Sequence, residues 1–260
     1  MKVRNLEVSD TGNELICNGL LITEIEAFEQ LVNLVDEYAE KFPKSSILVS
    51  LDDLGQAQYT SMHSTMFHNL DDVEGHDLSN VSTSAFENGE HVGFLSTTSE
   101  FFIREDNFKS KSADATFDDA CARGLDLEDD ELEFLERVHS SPRELLDKRV
   151  VLWIVPIKTS ATALAACPNG YFSSDLSPFE NHALAEHLNA KYGYQLFGIG
   201  ASCIGFRRHS PLSPGHAESL VRDIARLYDC EKNESKIERI QGLVERHKFL
   251  FLKYVESLNL

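Results

Sequence analysis

Residues 150–157, Val-Val-Leu-Trp-Ile-Val-Pro-Ile, form an almost unbroken apolar run. A strand with one wet face alternates polar and apolar side chains, so this run reads as a central strand buried on both faces. Such a strand cannot stand alone. It requires other strands beside it and helices packed over them.

The chain after it supplies both. Ser141-Pro142, Ser177-Pro178 and Ser213-Pro214 each set a capping hydroxyl before a proline at the first helical position, where a missing N–H costs nothing. Glu144 and Glu180 complete capping boxes in the first two. The helix from Pro178 to Lys191 ends at Gly193. Gln195–Ile199 and Cys203–Arg207 read as a hairpin around Gly200-Ala201-Ser202, and Pro214–Tyr228 as a further helix.

Toward the N-terminus, Glu14–Cys17 and Leu20–Thr23 flank Asn18-Gly19, a two-residue hairpin signal. Thr23 and Glu26 then form a capping box for a helix whose stripe is Ile25, Phe28, Val32, Val35, Ala39 and Phe42. Ser46–Leu51 is a strand ending in Asp52-Asp53. His91–Ser96 reads as a strand that Phe101–Arg104 continues, and Glu105–Arg123 as an exposed loop. Asp126–Val138 is an acidic helix with Leu132, Leu135 and Val138 inside.

At the C-terminus Ile237, Ile240, Val244, His247, Phe251, Tyr254 and Leu258 follow a heptad spacing, which predicts one long helix over about residues 234–257. Docking on the parent domain and a homodimer seam both account for its apolar side. The fold class is α+β: a mixed sheet with packed helices and a long C-terminal helix. An acidic region over 1–140 and a second region over 141–260 are expected, or one continuous domain.

Charge divides the chain most sharply. Residues 1–150 carry 12 Lys and Arg against 32 Asp and Glu, while the rest carries 12 against 11. Such a field repels nucleic acid and anionic membranes and favours basic protein partners or cations. No apolar run approaches a membrane span, and the first residues lack the apolar core of a secretory signal, so the cytoplasm is expected. Five cysteines without a C-x-x-C pair argue against structural zinc and a disulfide framework, and no cofactor is expected.

Candidate sites follow from residue chemistry. Asp126, Glu128, Asp129, Asp130, Glu131 and Glu133 spread carboxylates over a leucine-anchored helix, a docking surface for a basic partner. Cys167 lies on the loop after the central strand; as a nucleophile it needs a base such as His182, and Asp175 falls in the same segment. His63, His68 and His76 beside Asp71, Asp72 and Asp77 are candidates for a cation, or a solvated patch with pKa values raised by the carboxylates. His182 and His187 sit about 140° apart around a helix and cannot share one metal.

Val155-Pro156, Leu188–Tyr194, Leu196–Phe206 and Ser210-Pro211-Leu212-Ser213 follow the order of an apolar strand ending in V-P, a helix ending in an aromatic-Gly step, a strand pair and a Pro-rich helix start. Over Val150–Tyr228 the chain resembles the uncharacterised bacterial family called domain of unknown function 4253. Leu188 and Lys191 stand where that family has Trp and Arg. The resemblance implies a fold and carries no activity.

Together these features predict a non-enzymatic acidic protein that docks or neutralises a basic protein, like an immunity protein or inhibitor. The alternative is an enzyme or small-molecule binder with a pocket near the loop after 150–157.

Overall fold

The structure, a computed structural model, describes residues 1–11 and 15–258. Its strands are β1 (Lys2–Asn5), β2 (Asn18–Thr23), β3 (Ser46–Ser50), β4 (Phe86–Glu87), β5 (Glu90–His91), β6 (Arg149–Val155), β7 (Gln195–Ile199), β8 (Cys203–Arg207) and β9 (Phe249–Lys253). Seven of them form one mixed sheet in the order β1-β2-β6-β3-β7-β8-β9, and β4 and β5 pair separately. Within the large sheet β3 and β7 run parallel and the other neighbours antiparallel. The α+β class holds. β6 is flanked by strands on both sides, as its apolar run demands.

Because β6 lies between β2 and β3, strands from both sides of residue 140 share this sheet, and the charge boundary is not a boundary in the sheet. Ion pairs also cross it: Arg207 with Asp36, Arg226 with Asp118, and Arg239 with Glu136.

The helices are α1 (Val8–Thr11), α2 (Phe28–Lys41), α3 (Leu54–Phe67), α4 (Phe101–Ser112), α5 (Phe117–Ala122), α6 (Asp129–Ser140), α7 (Pro178–Tyr192), α8 (Pro214–Leu227) and α9 (Glu234–Arg246). Cross-strand pairing puts Cys203, Gly205, Arg207, Phe249, Phe251 and Lys253 on one face of the sheet. Phe28 of α2 rests there on Phe197, Phe249 and Phe251, and α6 packs on the same face through His139 and Glu131. The helix starts at Ser177 and Ser213 form as predicted, each serine accepting a hydrogen bond from the N–H three residues on.

Several expectations are corrected. Asn18-Gly19 lies inside β2 rather than in a turn, and residues 15–17 form no strand; Glu14 lies outside the described residues. α2 starts at Phe28, where the Gln30 side chain accepts from the Glu26 and Ala27 N–H groups, so Thr23 is not its cap. His91 ends β5 and no strand continues to Ser96; Phe101–Arg104 begins a helix. The polar stretch 105–123 is mostly α4 and α5, anchored by the sparse apolar residues Phe108, Phe117 and Ala120.

The long C-terminal helix does not exist. α9 ends at Arg246, and Phe249-Leu-Phe-Leu-Lys253 pairs with β8 instead. The open edge of β8 needs hydrogen-bonding partners, which a helix cannot provide. Phe251 and Tyr254, read as seam positions of a homodimer, are buried within the chain's own fold.

Candidate functional site

β3 and β7, the parallel pair, end side by side. β3 leads into Asp52-Asp53 and β7 into the turn Gly200-Ala201-Ser202. The two meet closely: Asp52 Oδ2 accepts from the Ser202 N–H at 2.8 Å and its hydroxyl at 2.6 Å, and Oδ1 from the Cys203 N–H at 3.1 Å. Only glycine fits at position 200, because a Cβ there would lie 2.0 Å from Asp52 Oδ1. Asn169 Nδ2 donates to the Gly200 carbonyl, and the Tyr254 hydroxyl reaches the same oxygen at 2.7 Å. Asp53 caps α3, its Oδ1 accepting from the Gln56 N–H.

Beside this junction opens a cleft of about 780 Å³. Asp52, Asp53, Gln56 and Thr60 line it from β3 and α3, Phe134 from α6, and Glu144 and Leu145 from the turn that follows. Phe172 to Asp175 and Val255 to Leu258 complete the wall. Five carboxylates line the cleft, and among the described residues no Lys or Arg does. Open α/β sheets bind ligands at the carboxyl ends of their parallel strands, and the one parallel pair of this otherwise antiparallel sheet presents such an end here.

The carboxylates feel this environment. Burial raises the Asp52 pKa although three donors from Ser202 and Cys203 oppose the shift. Burial, reinforced by the charge of Glu256, pushes Asp175 up to about 6. Glu144 faces Arg137 at 3.2 Å on the exposed rim.

Of the acidic run, Asp126, Glu128, Asp129, Asp130 and Glu133 are exposed, as a docking surface requires. Glu131 is not. It is buried against Lys253 and accepts from the Leu258 N–H at 2.8 Å, so it is unavailable to a partner. Its spacing from Leu135 and Val138 already placed it on the inner face.

Cys167, His182 and Asp175 are not brought together. Cys167 lines a separate cavity of about 420 Å³ with Cys17 and Met62, and burial pushes its thiol up to about 12, far from a thiolate nucleophile. His182 lies in another recess, where burial lowers it to about 4 and Thr162 Oγ1 is 3.4 Å away. Only Asp175 joins the cleft. The three histidines also separate: His63 packs at a tilt on Tyr59 in α3, His68 packs on Phe179, and His76 meets Asn107. Burial lowers His68 instead of raising it. Among the described residues no group of three side chains is placed to hold a metal ion.

Residues 54–67 show no hydrophobic period because α3 is built inside out. Its buried side is Leu54, Ala57, Thr60 and Ser64, while Tyr59, Met66 and Phe67 are more than half exposed. His63 bridges Tyr59 to Tyr171, and Tyr171 leads to the half-exposed Phe172 at the cleft. Exposed aromatic clusters of this kind mark interaction surfaces. Asp52 and Asp53 belong to no motif. Their one sequence signal was position, at the end of a buried strand.

No family model, curated protein or solved structure matches this chain, so the resemblance over Val150–Tyr228 rests on its residues alone. Among the described residues no helix is long and apolar enough to cross a membrane.

Proposed function

We propose that this is a binding protein that holds a basic protein partner against the acidic cleft and the adjoining surface of α6, acting as an immunity protein or inhibitor does. The observation that carries this reading is the cleft itself, lined by five carboxylates of which only Glu144, paired with Arg137, has a cation beside it among the described residues. Complementary charge of this density steers a basic partner and selects against acidic ones.

Two further features support it. Arg207, Arg226, Arg239 and Lys253, cations of the more basic second part, are engaged with acids of the first, which leaves four of the cleft's five carboxylates without a cation among the described residues. The exposed rings of Tyr59, Phe67 and Phe172 offer apolar contact and cation–π faces next to it. All five cysteines are free, in keeping with a reducing cytoplasm as its place of action.

The test is capture of partners by the tagged protein at low and high salt, with and without neutralisation of Glu128, Asp129, Asp130 and Glu133 to their amides together with Asp53→Asn. A stoichiometric basic protein held at low salt, released at high salt and lost by the variant is the expected result. Equal capture by a normally folded variant would remove these surfaces from the reading.

A further inference from the structure

Five carboxylates among the described residues are buried: Asp10, Glu100, Glu131, Asp175 and Glu180. Four have a partner that carries or can carry positive charge. Asp10 pairs with Arg4 and Arg149, Glu100 with His91, Glu131 with Lys253, and Glu180 with Arg123. Asp175 is the exception. It is 5% exposed, its Oδ1 accepts only from the Glu256 N–H at 3.1 Å, and its second oxygen has no hydrogen-bond partner among the described residues. Oδ2 keeps contact with the cleft, and ionising a carboxyl so little exposed is costly without a cation, a cost that a cation entering from the cleft would offset.

We propose that the cleft binds one guanidinium group, the side chain of an arginine on the basic partner, with Asp175 as its paired anion. This rests on the reading of the protein as a binder of a basic partner and names what the partner inserts.

The chemistry of the cleft selects the group. A space of about 780 Å³ is far larger than a bare ion needs, and no three metal-ligating side chains converge there among the described residues. A guanidinium presents five donors in a plane and requires several acceptors around it. Asp175 offers a free oxygen, Glu256 a second carboxylate beside it, and Ser173 and Ser174 hydroxyls along the wall. Phe172, half exposed, supplies a ring against which the plane can stack. A lysine ammonium would use fewer of these acceptors and none of the stacking.

The experiment is titration calorimetry of the full chain at pH 7.5 and low salt with N-acetyl-arginine amide, its citrulline counterpart and a tetra-arginine peptide. Saturable binding of the arginine probe, absence of binding by the uncharged citrulline isostere, and tighter binding of the peptide are expected. Asp175→Asn should weaken both arginine ligands at least tenfold. Ser174→Arg, which places a guanidinium in the cleft from within, should abolish binding of the probe, and it serves if the first variant folds poorly. Undiminished binding by both variants, or no saturable binding of either arginine ligand, would overturn the proposal. Binding of the amide as tightly as the peptide would overturn the partner side chain as the source and assign the site to a free guanidinium compound. The broader reading fails separately: a salt-sensitive basic partner captured equally by the Asp175→Asn protein keeps that reading and removes this site. Binding of the arginine probe without any such partner does the reverse.

Discussion

Glu131 and Lys253 stand 122 residues apart in sequence and meet as a buried ion pair, where α6 crosses the end of β9. Each also holds a piece of the C-terminal segment, Lys253 through the Glu256 carbonyl at 3.0 Å and Glu131 through the Leu258 N–H. The pair therefore fixes residues 256–258, which form one wall of the cleft. The net worth of a buried pair against an apolar replacement is small, but stranding one member is severe.

Lys253→Met should destabilise the protein by about 3–5 kcal/mol, because Glu131 is then left charged and buried. The double variant Lys253→Met, Glu131→Gln should recover much of that loss. Urea unfolding of the three proteins at neutral pH measures both differences. Equal losses in the single and double variants would show that the pair is not coupled.

Asp175 sets a pH dependence of its own. Its folded pKa, about 6, lies above the ordinary carboxylate value, so its contribution to stability is fully present at low pH. That contribution is lost as pH rises from about 4 through 6. Asp175→Asn should leave stability near pH 4 unchanged and raise it at pH 7.5 by on the order of 1 kcal/mol, after allowance for solvent screening. Asp52, also raised by burial, adds to the same trend. A variant no more stable than the parent at pH 7.5 would contradict the unpaired state of this carboxyl.

The histidines act with the opposite sign. His139 Nδ1–H donates to the Leu135 carbonyl, and its Nε2 accepts from the Phe251 N–H at 3.0 Å, which fixes a neutral ring. Burial lowers its pKa to about 4, and lowers His182 to about 4 as well. Each contributes stability that is complete above about pH 6.5 and declines as pH falls toward 4, by on the order of 3 kcal/mol at most. His182→Phe should flatten this acid limb in thermal unfolding between pH 4.5 and 7. An unaltered limb would mean that the ring is already charged in the fold.

Gly200→Ala should cost about 1–3 kcal/mol, since the new methyl drives into Asp52 and the two strand ends cannot separate freely. It should also weaken binding in the cleft, because Asp52 and Ser202 both line it. Gly215→Ala, where a Cβ meets nothing within 4 Å, is the control and should be close to neutral.

The parts of the fold with local signals were legible in the residues. β6 was legible as an apolar run, α7 and α8 from Ser-Pro caps, and the β7–β8 hairpin from its turn, because each signal lies within a few residues of the structure it specifies. The exposed carboxylates of α6 were legible too, from composition and period. The remainder depended on contacts between distant segments. Residues 249–253 fit a heptad as well as they fit a strand, and the unpaired edge of β8 made the choice. α3 turned its small polar side inward because that side meets the Asn169 and β6 region, which hid its period from hydropathy. The cleft joins Asp52, Asp175 and Glu256, and no local rule brings these together. Strand order places β3 beside β7, and the segment after β9 closes over both, so the free oxygen of Asp175 exists only once the sheet is assembled.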